Sequence, residues 1–229
     1  METKRRVISG ESEGCDSAVS DNGDRQRVKR SLAGSIVDID DILTKRLAIC
    51  ANCDSTFGFM RPAMKLLELS GHGVPWILGS VLAVFVSHQI KTQEKFINLL
   101  MALFVDVVIV AVIKLLVRRP RPQHNQMDML TVMAIDGYSF PSGHATRAAM
   151  VLCFILGHFA LRPAWTAALV LWSVAVPLSR VFLGRHHTVD IVVGVAIGVL
   201  QYWYIVQRLW LSSETCEKIL RPIHEELHI

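Results

Sequence analysis

Three short segments of the sequence carry side chains that suit phosphate chemistry. The first, residues 114–122, begins with a lysine and ends in Arg-Pro-Arg-Pro. The second, residues 141–144, reads Pro-Ser-Gly-His, and the third, residues 179–190, begins with Ser-Arg and ends in Asp. A guanidinium group matches phosphate oxygens with two hydrogen bonds, and a lysine ammonium adds a compact point charge. The three segments together therefore indicate a site for a phosphoryl group.

The cations of these segments are Lys114, Arg121 and Arg180, and the segments contain no acidic cluster to match them. Ser142 and Gly143 stand just before an apolar, helix-like stretch. A serine suits the N-cap of a helix, and a glycine lets a ligand approach the backbone closely. Because the first N–H groups of a helix are free, its N-terminus binds anions. We therefore expect these five residues to hold phosphoryl oxygens.

Two histidines could do the bond-breaking chemistry. His186 and Asp190 are four residues apart, which places both on one face of a helix. A carboxylate on one ring nitrogen fixes the tautomer and leaves the other nitrogen free to attack. His144 lies in the first turn of its predicted helix, where it would face the bound anion and suit general acid work.

The elements that must position these residues are apolar helices. Hydrophobic residues make up 52% of the 229 residues and charged residues only 19%, and the mean hydropathy is +0.38. Since a membrane helix needs ~20 mostly apolar residues, these values favour an all-α, polytopic transmembrane bundle with about five spans. The five apolar stretches are approximately 74–90, 97–117, 146–161, 163–183 and 190–211. Alternate crossing places 118–145 and 184–189 on the same face of the membrane, where the site would assemble.

The remaining parts of the chain are more polar. We expect a disordered tail over 1–35, amphipathic or interfacial helices over 36–73, a transmembrane phosphatase domain over 74–211 and a polar tail over 212–229. A sixth span could lie hidden in 36–70. The formal net charge of +4 is too small to indicate a nucleic-acid partner. The expected partners are membrane lipids and a lipid phosphate substrate.

Several charged residues in or beside the spans have simpler interpretations than catalysis. We expect Asp106 and His158 to have packing roles inside the bundle, because charge in hydrocarbon must be paired. Arg118, Arg119 and Arg185 are interpreted as interfacial charges whose side chains extend to water.

Two further patterns favour structure over chemistry. Gly194 and Gly198 form a small-residue face that favours packing within the bundle over dimerisation. The five cysteines are odd in number and scattered, so they make no disulfide framework. Cys50 and Cys53 have the spacing of half a zinc site without a second half, which favours free thiols.

The three segments resemble the type 2 phosphatidic acid phosphatase superfamily, whose pattern is K-x6-RP, PSGH and SR-x5-H-x3-D in that order. Every fixed position of that pattern is matched here. Flanking sequences resemble the polyisoprenoid (presqualene) diphosphate phosphatase branch. These are Met64-Lys-Leu-Leu-Glu, Ser70-Gly-His-Gly, residues 122–129 and residues 139–149.

The resemblance implies a role for each matched residue. His186, which the family spacing selects over the adjacent His187, attacks phosphorus and becomes a phosphohistidine. Asp190 orients it, and His144 protonates the leaving oxygen. The phosphoryl oxygens are held by Lys114, Arg121, Ser142, Gly143 and Arg180. The family uses no metal and no cofactor.

The resemblance also implies a function and a location. The expected substrates are isoprenoid diphosphates and monophosphates, such as presqualene, farnesyl or geranylgeranyl diphosphate. Two alternative functions remain: a phosphatase of glycerolipid or sphingolipid phosphates, and a non-catalytic membrane scaffold. The intact motifs disfavour the scaffold. The implied location is the membrane of the endoplasmic reticulum and nuclear envelope.

Which face of the membrane carries the site depends on the number of spans. With five spans the N-terminal tail and the site lie on the same side of the membrane, and with six they lie on opposite sides. Positively charged residues usually mark the cytosolic side, but the numbers of Lys and Arg beside the spans are equal on the two faces and do not decide the orientation. A cytosolic tail with five spans predicts a cytosolic site. A glycan acceptor inserted near Gln123 should then stay unmodified, as measured by a glycosidase-sensitive gel shift beside a secreted reporter. Glycosylation at that position would reject the cytosolic assignment.

Overall fold

The computed structural model of the chain describes residues 32–123, 125, 126, 128 and 134–227. The expected disordered tail lies outside the described residues up to position 31, and from position 32 the chain is helical. The chain divides into two units, Met1–Val37 and Asp38–Ile229. Of the first unit only the beginning of one helix is described, and all the elements below belong to the second unit from residue 38 onward.

Within the described residues the secondary structure is entirely helical, which confirms the predicted all-α class. A π-helical segment, Tyr202–Val206, continues the seventh helix, and short 3-10 turns occur at Gly58–Met60 and Ala134–Gly137. The α-helices are α1 (Leu32–Leu47), α2 (Arg61–Ser70), α3 (Gly73–Val86), α4 (Ile90–Val117), α5 (Gly143–His158), α6 (Pro163–Phe182), α7 (Thr188–Gln201) and α8 (Ser213–Leu227). The expected polar C-terminal tail is thus helical over most of its length.

Three helical segments are long and apolar enough to cross a membrane. They are α4, α6 and α7 with its π-helical continuation, of 28, 20 and 19 residues. Gly58–Ser70 and α3 together pass the same test, although the chain bends by 48° between them. α5, with 16 residues, falls below the ~17-residue lower limit for a span. By length and composition the described helices give three or four spans, so the count of about five stays a prediction.

Large apolar side chains cover the outer faces of these helices. A soluble monomer rarely exposes so much contiguous apolar surface, whereas lipid-facing helices require it. Exposed examples on α3, α4, α6 and α7 include Leu78, Leu82, Phe104, Leu116, Leu171, Val174, Val192 and Leu200. The helical surface therefore suits an integral membrane protein.

α5 lies at the centre of the bundle, in contact with α4, α6 and α7. Its side chains Met150 and Phe154 are fully buried against Leu103 of α4 and Tyr202 after α7. The Gly194 and Gly198 face of α7 packs against α5. A Cβ atom at the second glycine would lie 2.1 Å from the carbonyl oxygen of Thr146. The predicted small-residue face thus packs within the bundle.

The two polar residues expected to pack inside the bundle do so. Asp106 of α4 is fully buried and pairs with Arg147 of α5, whose Nη2 lies 2.9 Å from its Oδ2. His158 stacks on Trp210 with ring centroids 4.2 Å apart, and its Nε2 lies 3.4 Å from the hydroxyl of Tyr202. Both side chains thus contact residues of the bundle, as expected.

Replacing Gly198 by alanine should destabilise the bundle, because the added methyl group meets the backbone of α5. We expect a loss of about 1–3 kcal/mol, the usual cost of overpacking a core, measured as a lower thermal midpoint in detergent. Gly79→Ala on α3 is the matched control, since a Cβ atom there meets nothing within 4 Å. Equal midpoints for the two variants would contradict the packing of α7 on α5.

Candidate active site

The connection that follows α4 folds back toward α7. Arg118 ends α4 in the left-handed conformation, with φ of 49°. The backbone N–H of Ser139 then donates to the carbonyl of Arg119 at 2.8 Å, and its hydroxyl donates to the carbonyl of Pro120 at 2.9 Å. These bonds fix the two ends of the connection to each other and direct the Ser139 carbonyl at the segment between α6 and α7.

The Ser139 carbonyl contacts the imidazole ring of His186. Its Nδ1 lies 2.7 Å from the Ser139 oxygen, and the side chain is only 2% exposed. Because a carbonyl can only accept, Nδ1 carries the proton and Nε2 keeps its lone pair. Nε2 lies 3.5 Å from Nη1 of Arg121. Arg121 and Ser139 of the α4–α5 connection therefore meet His186 of the α6–α7 connection.

The His186 ring is held in its neutral form. Burial lowers the pKa of His186 to about 3, the nearby guanidinium groups of Arg121 and Arg180 act in the same direction, and the Asp190 carboxylate opposes them. At neutral pH the imidazole is therefore uncharged and has a free lone pair on Nε2. The same burial, with the adjacent charge of Arg180, lowers the pKa of Arg121 to about 10, which still leaves that group charged.

Asp190 is placed differently from the sequence-based expectation. Its Oδ2 lies 3.8 Å from Nδ1 of His186, so the Ser139 carbonyl, and not this carboxylate, is the nearer partner. Oδ2 instead accepts from the backbone N–H of His187 at 2.9 Å and lies 3.1 Å from its Nδ1. Oδ1 accepts from Nη1 of Arg119 at 2.7 Å. Asp190 thus caps α7 and acts on the His186 ring through its charge.

His187 has both of its ring nitrogens beside carboxylates. Nδ1 faces Asp190, and Nε2 lies 3.3 Å from Oδ1 of Asp41 on α1. This residue is the N-cap of α7 and forms a capping box with Asp190. Of the two adjacent histidines, it is His186 whose free nitrogen faces a cation.

His144 and Ser142 present unsatisfied polar atoms at the start of α5. Nε2 of His144 and Oγ of Ser142 are buried and have no hydrogen-bond partner among the described residues. Ser142 occupies the N-cap position, but its hydroxyl makes no capping bond there. The charges that act on the His144 imidazole include those of Arg180 and His186. Two orphaned polar atoms beside a helix N-terminus suit an anion.

The three cations lie in the same region, and each contacts oxygens of the protein. Nζ of Lys114 lies 2.9 Å from Oδ1 of Asp136. Nη1 of Arg180 lies 2.5 Å from Oε1 of Glu68, and Arg121 donates to the backbone carbonyls of Asp136 and Arg185. The segments contain no acidic cluster of their own, but carboxylates from elsewhere in the chain pair with Lys114 and Arg180. The acids come from α2 and from the α4–α5 connection, outside the three segments.

Arg119 and Arg185 were wrongly interpreted as interfacial charges. Arg185 is fully buried, with its Nη2 2.6 Å from Asp128 and 3.4 Å from Glu68. Arg119 bridges Asp190 and Asp40 at 2.7 and 2.8 Å. A buried guanidinium must be paired, and here each lies between two carboxylates. Arg118 is exposed, so an interfacial position suits it.

A second ion-pair cluster borders this region. Asp128 lies 2.9 Å from Nη2 of Arg61 and 2.5 Å from Nζ of Lys65. Although partial burial acts in the other direction, hydrogen bonds from Lys65, Arg185 and Arg61 hold the pKa of Asp128 well below its usual range. Arg61 also donates to the carbonyls of Cys50 and Ala51. Sequence reasoning gave Asp128, Arg61 and Lys65 no role in the site.

Beside Arg121 there is a cleft of about 300 Å³. Its walls come from α1, the start of the α4–α5 connection and the N-cap of α7. The lining residues are Asp41, Thr44, Lys45, Pro120, Arg121, Pro122, Gln123 and His187. Over the described part of the chain, no group of three His, Cys, Asp or Glu side chains is arranged to hold a metal ion.

The three segments lie within a part of the chain that matches the model of a known family. The family model described as the PAP2 superfamily matches residues 95–213, which is more than half of the chain and includes all three segments. The chain belongs to the PAP2 superfamily.

Named relatives of this PAP2 protein are phosphatases. It is 28% identical over 137 residues to the probable lipid phosphate phosphatase beta of Arabidopsis thaliana, covering 48% of this chain and 63% of that protein. It is 31% identical over 144 residues to the decaprenylphosphoryl-5-phosphoribose phosphatase of Mycobacterium tuberculosis, covering 62% and 75%. It is 32% identical over 96 residues to phosphatidylglycerophosphatase B of Escherichia coli, covering 41% and 36%. The chain thus spans less than two thirds of the Arabidopsis and E. coli relatives. These relatives indicate a phosphoric ester hydrolase.

Two crystal structures share the fold. Aquifex aeolicus LpxE matches with a TM-score of 0.54 at 21% identity, covering 75% of this chain and 94% of that one. The transmembrane PAP2-type phosphatidylglycerolphosphate phosphatase of Bacillus subtilis matches with a TM-score of 0.56 at 21% identity, covering 76% and 85%. The PAP2 protein described here therefore has the fold of a transmembrane PAP2-type protein, in agreement with its apolar helices.

The lowered pKa of His186 makes a prediction about stability. Its pKa is about 3 in the folded protein, against ~6.5 in an unfolded chain, so between these values the unfolded state binds one more proton. Stability should therefore fall as pH falls below about 6.5, by up to ~1.4 kcal/mol per pH unit from this group.

The measurement is the thermal midpoint in detergent between pH 7 and pH 5. His186→Gln should lose less of its midpoint over this interval than the unmodified protein does, because the glutamine takes up no proton. His88→Gln, at an exposed position, is the control and should run parallel to the unmodified protein. Parallel curves for all three proteins would contradict a neutral, buried His186.

Proposed function

We propose that this membrane PAP2 phosphatase hydrolyses isoprenoid diphosphates and monophosphates through a phosphohistidine at His186, without a metal ion. The observation that carries the proposal is the His186 imidazole. It is neutral and buried, its Nδ1–H is tied to the Ser139 carbonyl, and its free Nε2 faces Arg121. An imidazole fixed in this way has its lone pair directed at the position that phosphate would occupy.

In the first step, the Nε2 lone pair of His186 forms a bond to phosphorus as the bond from phosphorus to the leaving oxygen breaks. The leaving oxygen takes a proton from His144. The ring of His186 becomes positively charged, and its Nδ1–H keeps the Ser139 carbonyl as acceptor while the charge of Asp190 lies 3.8 Å away. Both groups favour the charged ring, so they lower the energy of this step.

In the second step, His144, now neutral, takes a proton from a water molecule whose oxygen attacks phosphorus. The bond from phosphorus to Nε2 breaks, inorganic phosphate leaves, and His186 returns to its neutral form. His144 has regained the proton it lost. A bound phosphate next to His144 favours the protonated imidazole that the first step needs.

The phosphoryl oxygens would be held by Lys114, Arg121 and Arg180, with Ser142 and Gly143 at the start of α5. The unpartnered Oγ of Ser142 supports its role as a phosphate contact. At Gly143 a Cβ atom would meet only Val110, at 3.4 Å, so packing within the protein does not strictly require a glycine there. Close approach of a ligand to the backbone does require it.

Two sequence resemblances support an isoprenoid substrate. The flanking sequences resemble the presqualene diphosphate phosphatase branch, and the mycobacterial relative carries a decaprenylphosphoryl substrate in its name. In either case the apolar chain would stay in lipid while the phosphate reaches the cations. The presqualene branch is also the basis for proposing the endoplasmic reticulum and nuclear envelope as the location.

A second candidate is a phosphatase of glycerolipid phosphates. The name of the Escherichia coli relative, phosphatidylglycerophosphatase B, favours it. The two candidates share the phosphate chemistry at His186 and differ only in the lipid that carries the phosphate. They are therefore separated by comparing substrates and not by mutating the site.

The test of the substrate is phosphate release by the purified protein in detergent with EDTA present. Farnesyl diphosphate, presqualene diphosphate and phosphatidate are compared at equal concentration. We expect release without added metal, faster turnover of the two isoprenoid substrates, and inhibition by vanadate, which adopts five-coordinate geometry like the transition state. Equal turnover of all three lipids would reject the isoprenoid preference and leave the phosphatase activity intact.

The test of the mechanism uses variants of the same protein. His186→Ala should lower kcat by roughly 10⁴-fold or more and His144→Ala by nearly as much, because each removes a reacting group. Asp190→Asn should cost less, since it changes orientation and charge but removes no reacting atom. His88→Ala, at an exposed position, should be unchanged. Retained activity in His186→Ala would refute the nucleophile assignment.

A further inference from the structure

The first amide groups of α7 are satisfied by a different helix. The first N–H groups of any helix lack acceptors within that helix. Here the N–H of Thr188 donates to Oγ1 of Thr44 at 3.1 Å, and the N–H of Val189 donates to Oδ1 of Asp40 at 3.0 Å. Asp40 and Thr44 are one turn apart on α1, and both side chains are buried. Together they complete the N-terminus of α7.

The second oxygen of Asp40 reaches the site through Arg119. Oδ2 of Asp40 accepts from Nη2 of Arg119 at 2.8 Å, while Nη1 of the same guanidinium donates to Oδ1 of Asp190 at 2.7 Å. Both carboxylates are buried, so each needs the shared cation. One planar guanidinium therefore fixes the distance between α1 and Asp190.

Asp190 transmits this placement to the proposed nucleophile. Its Oδ2 holds the backbone N–H of His187 at 2.9 Å, and the preceding residue is His186. A shift of the α7 N-terminus would move His186 relative to the Ser139 carbonyl and to Arg121. Misplacement of a reacting group by about 1 Å can cost 10²-fold in rate.

We propose that Asp40 and Thr44 of α1 are positioning residues for the phosphoryl transfer. They hold the N-terminus of α7 and, through Arg119, Asp190, so that Nε2 of His186 is aimed at phosphorus. The proposal rests on the function proposed above and extends it to a helix outside residues 95–213, the part that matches the family model. Neither residue is expected to touch the substrate.

The first experiment compares Thr44→Val with Thr44→Ser. Valine keeps the shape of the side chain and removes the acceptor for the Thr188 N–H, whereas serine keeps the acceptor. We expect Thr44→Val to lower kcat for farnesyl diphosphate about tenfold with KM unchanged, since the residue aims the nucleophile and does not bind the lipid. Thr44→Ser should retain most of the activity.

The second experiment is a double-mutant cycle between Asp40→Asn and Arg119→Gln. Asparagine can still accept from the Val189 N–H but loses the charge that pairs with Arg119. If Asp40 acts through Arg119, the double variant should be about as slow as Arg119→Gln alone, so the effects are not additive. Asp54→Asn, an exposed residue outside this network, is the control and should leave kcat and KM unchanged.

A readout independent of turnover separates this proposal from the proposed function. Thr44→Val should speed hydrogen–deuterium exchange of the amide at 188, which loses its acceptor, while the exchange over α5 and the thermal midpoint stay close to those of the unmodified protein. If the unmodified protein released no phosphate from any lipid, the proposed function would fail, whatever the exchange data.

Two results would overturn the positioning role. One is an active protein in which Thr44→Val and Asp40→Asn keep full kcat. The other is an equal loss of kcat in Thr44→Val and Thr44→Ser together with a lower thermal midpoint, which would indicate a general structural role.

Discussion

The hydrogen bond between Nδ1 of His186 and the carbonyl of Ser139 joins two connections that are distant in sequence. At 2.7 Å it ties the α6–α7 connection to the end of the α4–α5 connection, and it fixes which ring nitrogen carries the proton. Burial of the ring then keeps it neutral, because a charged imidazole would lose its hydration there. The cation cluster, the start of α5 and the capped end of α7 are arranged around a ring whose orientation this one bond sets.

A second constraint is the cost of burying charge. Three arginines around the site have carboxylates beside them: Arg180 and Arg185 share Glu68, and Arg119 lies between Asp40 and Asp190. A buried ion pair adds little net stability, but an unpaired buried charge is strongly destabilising. This pairing explains why the acids come from α1, α2 and the α4–α5 connection. Elements outside the three phosphatase segments are needed to hold those segments' charges in place.

The same constraint gives the N-terminal helices a part in the site. α2 supplies Glu68 to the arginine cluster, and α1 supplies the oxygens that complete α7. The family model begins at residue 95, so both helices lie before the part of the chain that defines the superfamily. The residues of the proposed phosphate chemistry lie within the part that matches the family model, whereas the residues proposed to align His186 lie before it.

The sequence alone determined the helical class and the family, because apolar periodicity and motif spacing are local properties of the chain. The intact Lys114, Pro-Ser-Gly-His and His186–Asp190 pattern identified the superfamily, and it predicts that the two histidines share a site. Which side chains pair with each other is not a local property of the chain. The bonds of Arg119 and Arg185 to carboxylates, the bond of the Ser139 carbonyl to Nδ1, and the caps from Asp40 and Thr44 join residues 47 to 149 positions apart. Only tertiary packing decides such pairs, since each depends on which acceptor lies within about 3 Å once the helices have assembled.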